Sequence, residues 1–295
     1  MELRQLEYFV AVAEELSFTR AAARSHVVQS ALSYQIAQLE RENGIALFER
    51  TSRSVRLTSA GRQLLPRARS ILSARDDAAA ELRSLAGVLT GRLRLGMVGS
   101  AAVAEPAVER ALVTFHRRHP GVEIAVQDTG SGRMADEVRT GVLDLAIIGL
   151  FADQVPADLA HRLLSAEPLV AIVPVDHPAA ERSTISLDAL TADGPFVEMR
   201  VESGLRRQVD AAFDRAGVGR TVAFELSTSD AVVRFVGLGF GAALVPRSVV
   251  AGATSVAVLA LPDPQARHPV SVIHRSPAPS APSARAFLEL LDSTH

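Results

Sequence analysis

Five side chains in one short stretch, Gln29, Ser30, Ser33, Tyr34 and Gln38, carry hydrogen-bonding groups at spacings that share one face of a helix. The opposite face holds Ala31, Leu32, Ile36 and Leu39, an apolar stripe suited to packing. Amides and hydroxyls of that reach match the donors and acceptors that base edges present in the major groove of DNA. Upstream, Ser17 opens a second short helix in which Ala21, Ala22 and Ala23 let another backbone approach closely. Downstream, Arg50-Thr-Ser-Arg53-Ser-Val-Arg56 is a cationic segment flanked by Leu47, Phe48, Val55 and Leu57. Together these predict a helix-turn-helix followed by a basic β-ribbon, or wing.

Charge supports this assignment. Residues 17–69 carry nine arginines against three acids, a net +6, whereas the whole chain stands at −2. A basic segment within an acidic protein is a local footprint for phosphates. Arginines on a helix are often only solvated, but here charge, helix spacing and ribbon coincide.

The elements that must position these residues follow. Ser59 to about Leu89 reads as one long amphipathic helix, with Leu64, Leu65, Ala68, Ile71, Leu72, Arg75, Ala79, Leu82 and Leu85 at approximate three-and-four spacing. Pro66 lies near its start, where a missing N–H costs least. A lone helix cannot bury that stripe, so a partner helix from a second subunit is expected to cover it. The alternative is packing against the chain's own C-terminal domain. Gly87 and Gly91 mark a hinge. From Arg92 onward, β and α units alternate twice, which predicts parallel sheets with helices on both faces, in two subdomains with a cleft between them. The expected strands are 93–98, 122–126, 145–148, 169–173, 195–199, 222–226, 242–245 and 270–274.

Residues Leu3 to Thr58 resemble the DNA-binding domain of LysR-type transcriptional regulators. The resemblance rests on Leu6, Phe9, Ser17-Phe18-Thr19, Ala21-Ala22, Gln29, Ala31-Leu32-Ser33, Gln35-Ile36, Leu39-Glu40, Leu47-Phe48, Arg50, Arg53, Leu57-Thr58 and Gly61. Length and layout extend it over essentially the whole chain. It departs from the family pattern at Ser25, where an apolar residue is usual, at Val28, where a capping Ser is usual, and at Tyr34, where Arg is common. Val28 can neither cap the recognition helix nor bond a phosphate.

The resemblance implies a bacterial winged helix-turn-helix over residues 1–58, a linker and dimerisation helix over 59–90, and an α/β effector-binding domain over 91–295 that is similar to periplasmic binding proteins. Within the last, subdomain I is expected at about 91–165 and 268–295, and subdomain II at about 166–267. DNA contacts are expected from Thr19, Gln29, Ser30, Ser33, Tyr34, Gln38, Arg50, Arg53 and Arg56. In open α/β sheets, ligands sit beyond the carboxyl ends of strands. The effector-binding candidates are therefore Ser100, Gly130, Ser131, Phe151, Glu202, Ser203 and Thr228. Ser and Thr at such places are also ordinary helix caps, and the sequence leaves both roles open. Arg200 and Glu202 give the cleft one charge of each sign, or a solvated salt bridge.

Other classes find little support. The chain has no cysteine, so neither a disulfide framework nor a thiolate metal site is available. Its eight histidines lack metal-site spacing, and no nucleophile–base pair or G-x-S-x-G elbow is present. Gly237-Leu-Gly239-Phe-Gly241 follows a helix and precedes a strand, the reverse of a nucleotide fingerprint. No cofactor, no metal and no enzymatic activity are expected. The amphipathic, acid-bearing N-terminus is unlike a signal peptide, which points to a cytoplasmic protein. The expected partners are a double-stranded DNA operator, a small-molecule effector, the chain itself as a dimer or, as is common in that family, a tetramer, and RNA polymerase as a further candidate. A solute-binding protein for transport would need a secretion signal and no DNA domain. An architectural DNA-binding protein would use its C-terminal half only to oligomerise.

Overall fold

The computed structural model describes residues 1–51, 54–99 and 105–294, so the expectations at Arg53 and Ser100 lie outside the described residues. The N-terminal unit comprises α1 (Leu3–Glu15), α2 (Phe18–Arg24), α3 (Gln29–Asn43) and the strands β1 (Phe48–Arg50) and β2 (Val55–Leu57). Ser17 starts α2 by accepting a hydrogen bond from the Arg20 N–H (3.3 Å). Val28 precedes α3 without a side-chain cap, and Gly44 ends α3 at φ 65°. Leu32, Ile36 and Leu39 of α3 are fully buried with Phe9 and Ala21. Ala31, expected in that stripe, is exposed. One residue is about 100° of helix, enough to carry it off the narrow buried arc. The strands pair antiparallel, with Phe48 opposite Leu57 and Glu49 opposite Arg56. Phe48 seats this ribbon against Phe9 (5.4 Å) and Phe18 (5.7 Å between ring centroids).

Helix α4 (Ser59–Leu85) runs 27 residues through Pro66 without breaking. It starts against the ribbon because residue 61 is glycine: a Cβ there would lie 2.2 Å from the Leu47 carbonyl oxygen. Leu64, Leu65 and Leu72 pack on the helix-turn-helix core. Ser73 and Asp77 are buried under Arg94 of the C-terminal half. Ile71, Leu82 and Leu85 remain exposed. The stripe is thus divided, with part of it covered within the chain and part open.

The C-terminal half continues as β3 (Gly91–Met97), α5 (Pro106–Arg118), β4 (Val122–Gln127), α6 (Ser131–Thr140), β5 (Leu145–Ile148) and β6 (Leu159–Pro174). Then come α7 (Leu187–Ala192), β7 (Phe196–Met199), α8 (Gly204–Ala216), β8 (Val222–Leu226) and α9 (Ser229–Gly237). Strands β9 (Ala243–Pro246), β10 (Val256–Ala260) and β11 (Arg267–Arg275) and helix α10 (Pro282–Thr294) close the chain. Among the described residues seven strands join in the order β10-β6-β11-β5-β3-β4, with β9 also on β6, while β7 and β8 pair separately.

The sheets are mixed rather than parallel as expected. Strand β3 is parallel to β4 and β5, but β11 runs antiparallel to β5 and β6, and β9 and β10 run antiparallel to β6. The reason lies in β6 and β11. They carry the chain from one half to the other and back, so they must oppose each other. Val270, Val272, Phe287 and Leu291 accordingly share one core with Leu93, Leu145 and Phe115. The other half has a core on each face of its sheet, one around Leu169, Phe196 and Phe213, the other around Ile172, Val197 and Val236.

Candidate functional site

Two surfaces collect the candidate residues. The first is the exposed side of α3 with the ribbon beside it. Gln29, Ser30 and Tyr34 are exposed, Ser33 and Gln38 are half-buried, and Thr19 is exposed at the start of α2. Gln29 Nε2 donates to Ser33 Oγ (3.2 Å) and Gln38 Nε2 to Glu42 Oε1 (2.9 Å). The Arg41 guanidinium lies 5.8 Å from the Tyr34 ring centroid. Arg56 is exposed on β2 with no ion-pair partner among the described residues. Arg50 is placed differently from Arg56. Its Nη2 meets Glu40 Oε2 at 3.1 Å, and its guanidinium lies 4.3 Å from the Phe18 ring centroid.

The second surface is a cleft of about 1200 Å³ between the two C-terminal lobes. Gly130, Ser131, Glu202, Ser203 and Thr228 all line it. Phe151 does not. Its N–H donates to Gln154 Oε1 (3.1 Å) as the chain turns, and it is Gln154 that reaches the cleft. The capping question resolves residue by residue. Thr228 Oγ1 caps α9 by accepting from the Ala231 N–H (3.3 Å). Ser203 precedes α8 without capping it. Ser131 is fully buried and accepts from the Gly149 N–H (3.2 Å). Arg200 and Glu202 both line the cleft, and no ion pair joins them among the described residues.

Several cleft residues carry no signal in the sequence. Asp128 accepts from the N–H groups of Gly99 and Gly130, each at 3.1 Å, and so pins the end of β3 to the start of α6. Arg207 and His268 also line the cleft, the latter from the crossing strand β11. His268 is wholly buried, and burial lowers its pKa from 6.5 to about 4, so the cleft floor presents a neutral imidazole near neutral pH. Gln208 spans the lobes, donating to Gln154 Oε1 (2.9 Å) and more weakly to the Gly149 carbonyl (3.4 Å). The lobes meet through glycine: a Cβ on Gly204 would stand 2.4 Å from the Gly149 oxygen and 2.8 Å from Ser131 Oγ.

A winged helix-turn-helix, a long connecting helix and a two-lobed receptor cleft define a DNA-binding regulator with a ligand domain. Residues 3–62 match the bacterial regulatory helix-turn-helix protein, lysR family, and residues 86–294 match the LysR substrate binding domain. The chain belongs to the LysR family of transcriptional regulators, and it is not an enzyme. It is 37% identical over 250 residues to YnfL of Escherichia coli, an uncharacterized HTH-type transcriptional regulator, spanning 84% of this chain and 83% of that one. It is 32% identical to the transcriptional dual regulator GltC of Bacillus subtilis, over 99% of this chain and 96% of the relative. Among solved structures, a full-length OxyR variant from Pseudomonas aeruginosa matches with TM-score 0.71 at 29% identity, covering 100% of this chain and 94% of that one. CbnR, itself also solved with its target DNA, shares the fold at TM-score 0.73 and 24% identity, covering 100% of this chain and 99% of CbnR. Among the described residues no helix is long and apolar enough to cross a membrane.

Proposed function

We propose that residues 1–58 bind a duplex operator, that 59–90 pair two subunits, and that 91–295 sense a small polar or anionic effector in the cleft. The observation that carries this reading is the pair of surfaces in one chain: a polar recognition face seated on its own core, and a lined cleft between two lobes. The protein would act in the cytoplasm, as a dimer or tetramer, with RNA polymerase as a further partner in activation. An effector shifts the regulator only if it binds one lobe arrangement better than another. The lobes, through α4, can then alter the spacing of two recognition helices on DNA.

Base reading is tested at Gln29. Gln29→Ala should cost about 1–3 kcal/mol on the best operator and much less on random duplex. Competition binding on both DNAs measures it, and equal losses would remove Gln29 from the base-reading set.

Pairing is tested at Leu82, which is 71% exposed on α4 in line with Ile71 and Leu85. Leu72 is unsuitable because it packs on the helix-turn-helix core. Leu82→Asp should shift the protein toward monomer in sedimentation and weaken operator binding, since one half-site loses its partner. A fully dimeric variant would place the main interface elsewhere.

A further inference from the structure

We propose that Glu40 and Arg50 form a strut that fixes the wing to the recognition helix, and that Arg50 is a positioning residue for DNA binding rather than a phosphate contact. Both carboxylate oxygens of Glu40 are occupied. Oε1 accepts from the N–H groups of Leu47 (2.8 Å) and Phe48 (3.1 Å), where the chain enters β1. Oε2 holds Arg50 Nη2 at 3.1 Å, at the other end of the same strand. One residue near the C-terminal end of α3 therefore grips the wing strand at both ends.

Arg50 completes the connection. With its guanidinium over Phe18, the first residue of α2, it joins the wing, the recognition helix and the helix before it. Phe48, on the same strand, packs against Phe18 from another side. The arrangement needs a planar cation that stacks and bonds at once, which a lysine ammonium cannot reproduce. The Arg50 side chain stays 39% exposed, but the adjoining Glu40 carboxylate matches its charge. The pair as a whole carries no net charge, so it displaces fewer counterions from DNA than an unpaired arginine does. Arg56 has no such partner among the described residues and faces solvent on the neighbouring strand. The two arginines lie on one ribbon, with Arg56 opposite Glu49 and Arg50 opposite Val55, yet they have separate tasks.

This inference rests on the DNA-binding reading, and its test separates the two. The full-length chain is used with a duplex recovered from a random-sequence pool by selection on the wild type. Affinity is measured across a salt series. Arg56→Ala should lower the slope of log affinity against log salt by about one. Arg50→Lys should weaken binding about tenfold with an unchanged slope. Glu40→Gln should weaken it similarly, although deleting a negative charge near DNA would strengthen a purely electrostatic contact. It keeps an oxygen for the two N–H groups while releasing Arg50. The double variant should lose no more than either single one, because both changes break the same strut. An Arg50→Lys protein that binds like the wild type overturns the proposal, as does a Glu40→Gln protein that binds more tightly, or a double variant whose losses multiply. If the wild type recovers no preferred duplex, it is the DNA-binding reading that fails.

Discussion

Arg94→Met is expected to remove about 3–5 kcal/mol of stability, the range for breaking a buried ion pair on one side only. Arg94 reaches Asp144 through Nε (3.1 Å) and Nη2 (2.6 Å), and its own N–H bonds the same carboxylate at 2.8 Å. Nη2 also meets Asp77 of α4 at 2.8 Å, and Nη1 bonds Ser73. The Asp144 side chain is wholly out of solvent. Burial already pushes its carboxyl up, against the pull of Arg94. Methionine fills much of the volume but leaves the carboxylates at 77 and 144 with no cation between them. Asp144 should then take up a proton in the folded state more readily than in the unfolded one. A folded-state pKa raised in this way stabilises at low pH and loses its benefit as pH rises. The penalty should therefore be larger at about pH 8 than at about pH 5. Chemical denaturation across pH measures both effects, and adding Asp144→Asn should recover part of the loss. A penalty under about 1 kcal/mol would class the pair with solvated surface bridges. The consequence for the regulator is that α4 loses its buried polar anchor on β3, while Asp77–Ser280 and Glu81–Arg285 still tie it to the C-terminal half.

How legible each part was follows from how local its determinants are. The recognition helix, the wing and the long helix could be read because each is specified by neighbours in sequence: Leu32, Ile36 and Leu39 at helical spacing, arginines flanked by Val55 and Leu57, and leucines repeating through α4. The alternating units also announced themselves, since short buried strands such as Leu145–Ile148 stand out as apolar runs. What escaped was set at a distance. The first part of β6, Leu159 to Glu167, alternates poorly because it is half-covered on both faces by crossing elements. Strand β10 is short and partly alanine, with little hydrophobic contrast to mark it. The antiparallel direction of β11 depends on its return from the second lobe, which no local pattern encodes. In the cleft, Gly130, Ser131, Ser203 and Thr228 were legible as residues between a strand and a helix. Gln154 and His268 were not, because a short turn and a crossing strand bring them there only in three dimensions. Arg50 shows the limit from the other side: its type and place on the wing suggest a phosphate contact, and only the fold shows that it also meets Glu40 and Phe18.

Gly204→Ala should separate sensing from DNA binding. Gly204 opens α8 on one lobe and abuts Gly149 and Ser131 of the other. A Cβ only 2.4 Å from a backbone oxygen cannot be absorbed by a side-chain rotation, so the lobes themselves must move apart. The same movement would lengthen the Gln208–Gln154 hydrogen bond, now 2.9 Å, that bridges the lobes nearby. The overpacking should cost about 1–3 kcal/mol of stability. The larger effect is on the effector. A ligand held by both walls gains from closure, so a chain barred from closing loses most of its affinity. A panel of small polar and anionic metabolites, screened by thermal shift on the full-length wild type, supplies the probe. A hit at a hundred times its dissociation constant stabilises by about 2.7 kcal/mol, and most of that stabilisation should vanish in Gly204→Ala at the same concentration. Operator affinity without ligand should change far less than the ligand response, because the recognition helix keeps its own core and only the coupling through α4 is disturbed. Gly219→Ala is the control, since a Cβ there meets nothing within 4 Å. If Gly204→Ala keeps the full ligand-induced shift, binding does not require the lobes to approach at this point, and the cleft must sense its ligand from one wall.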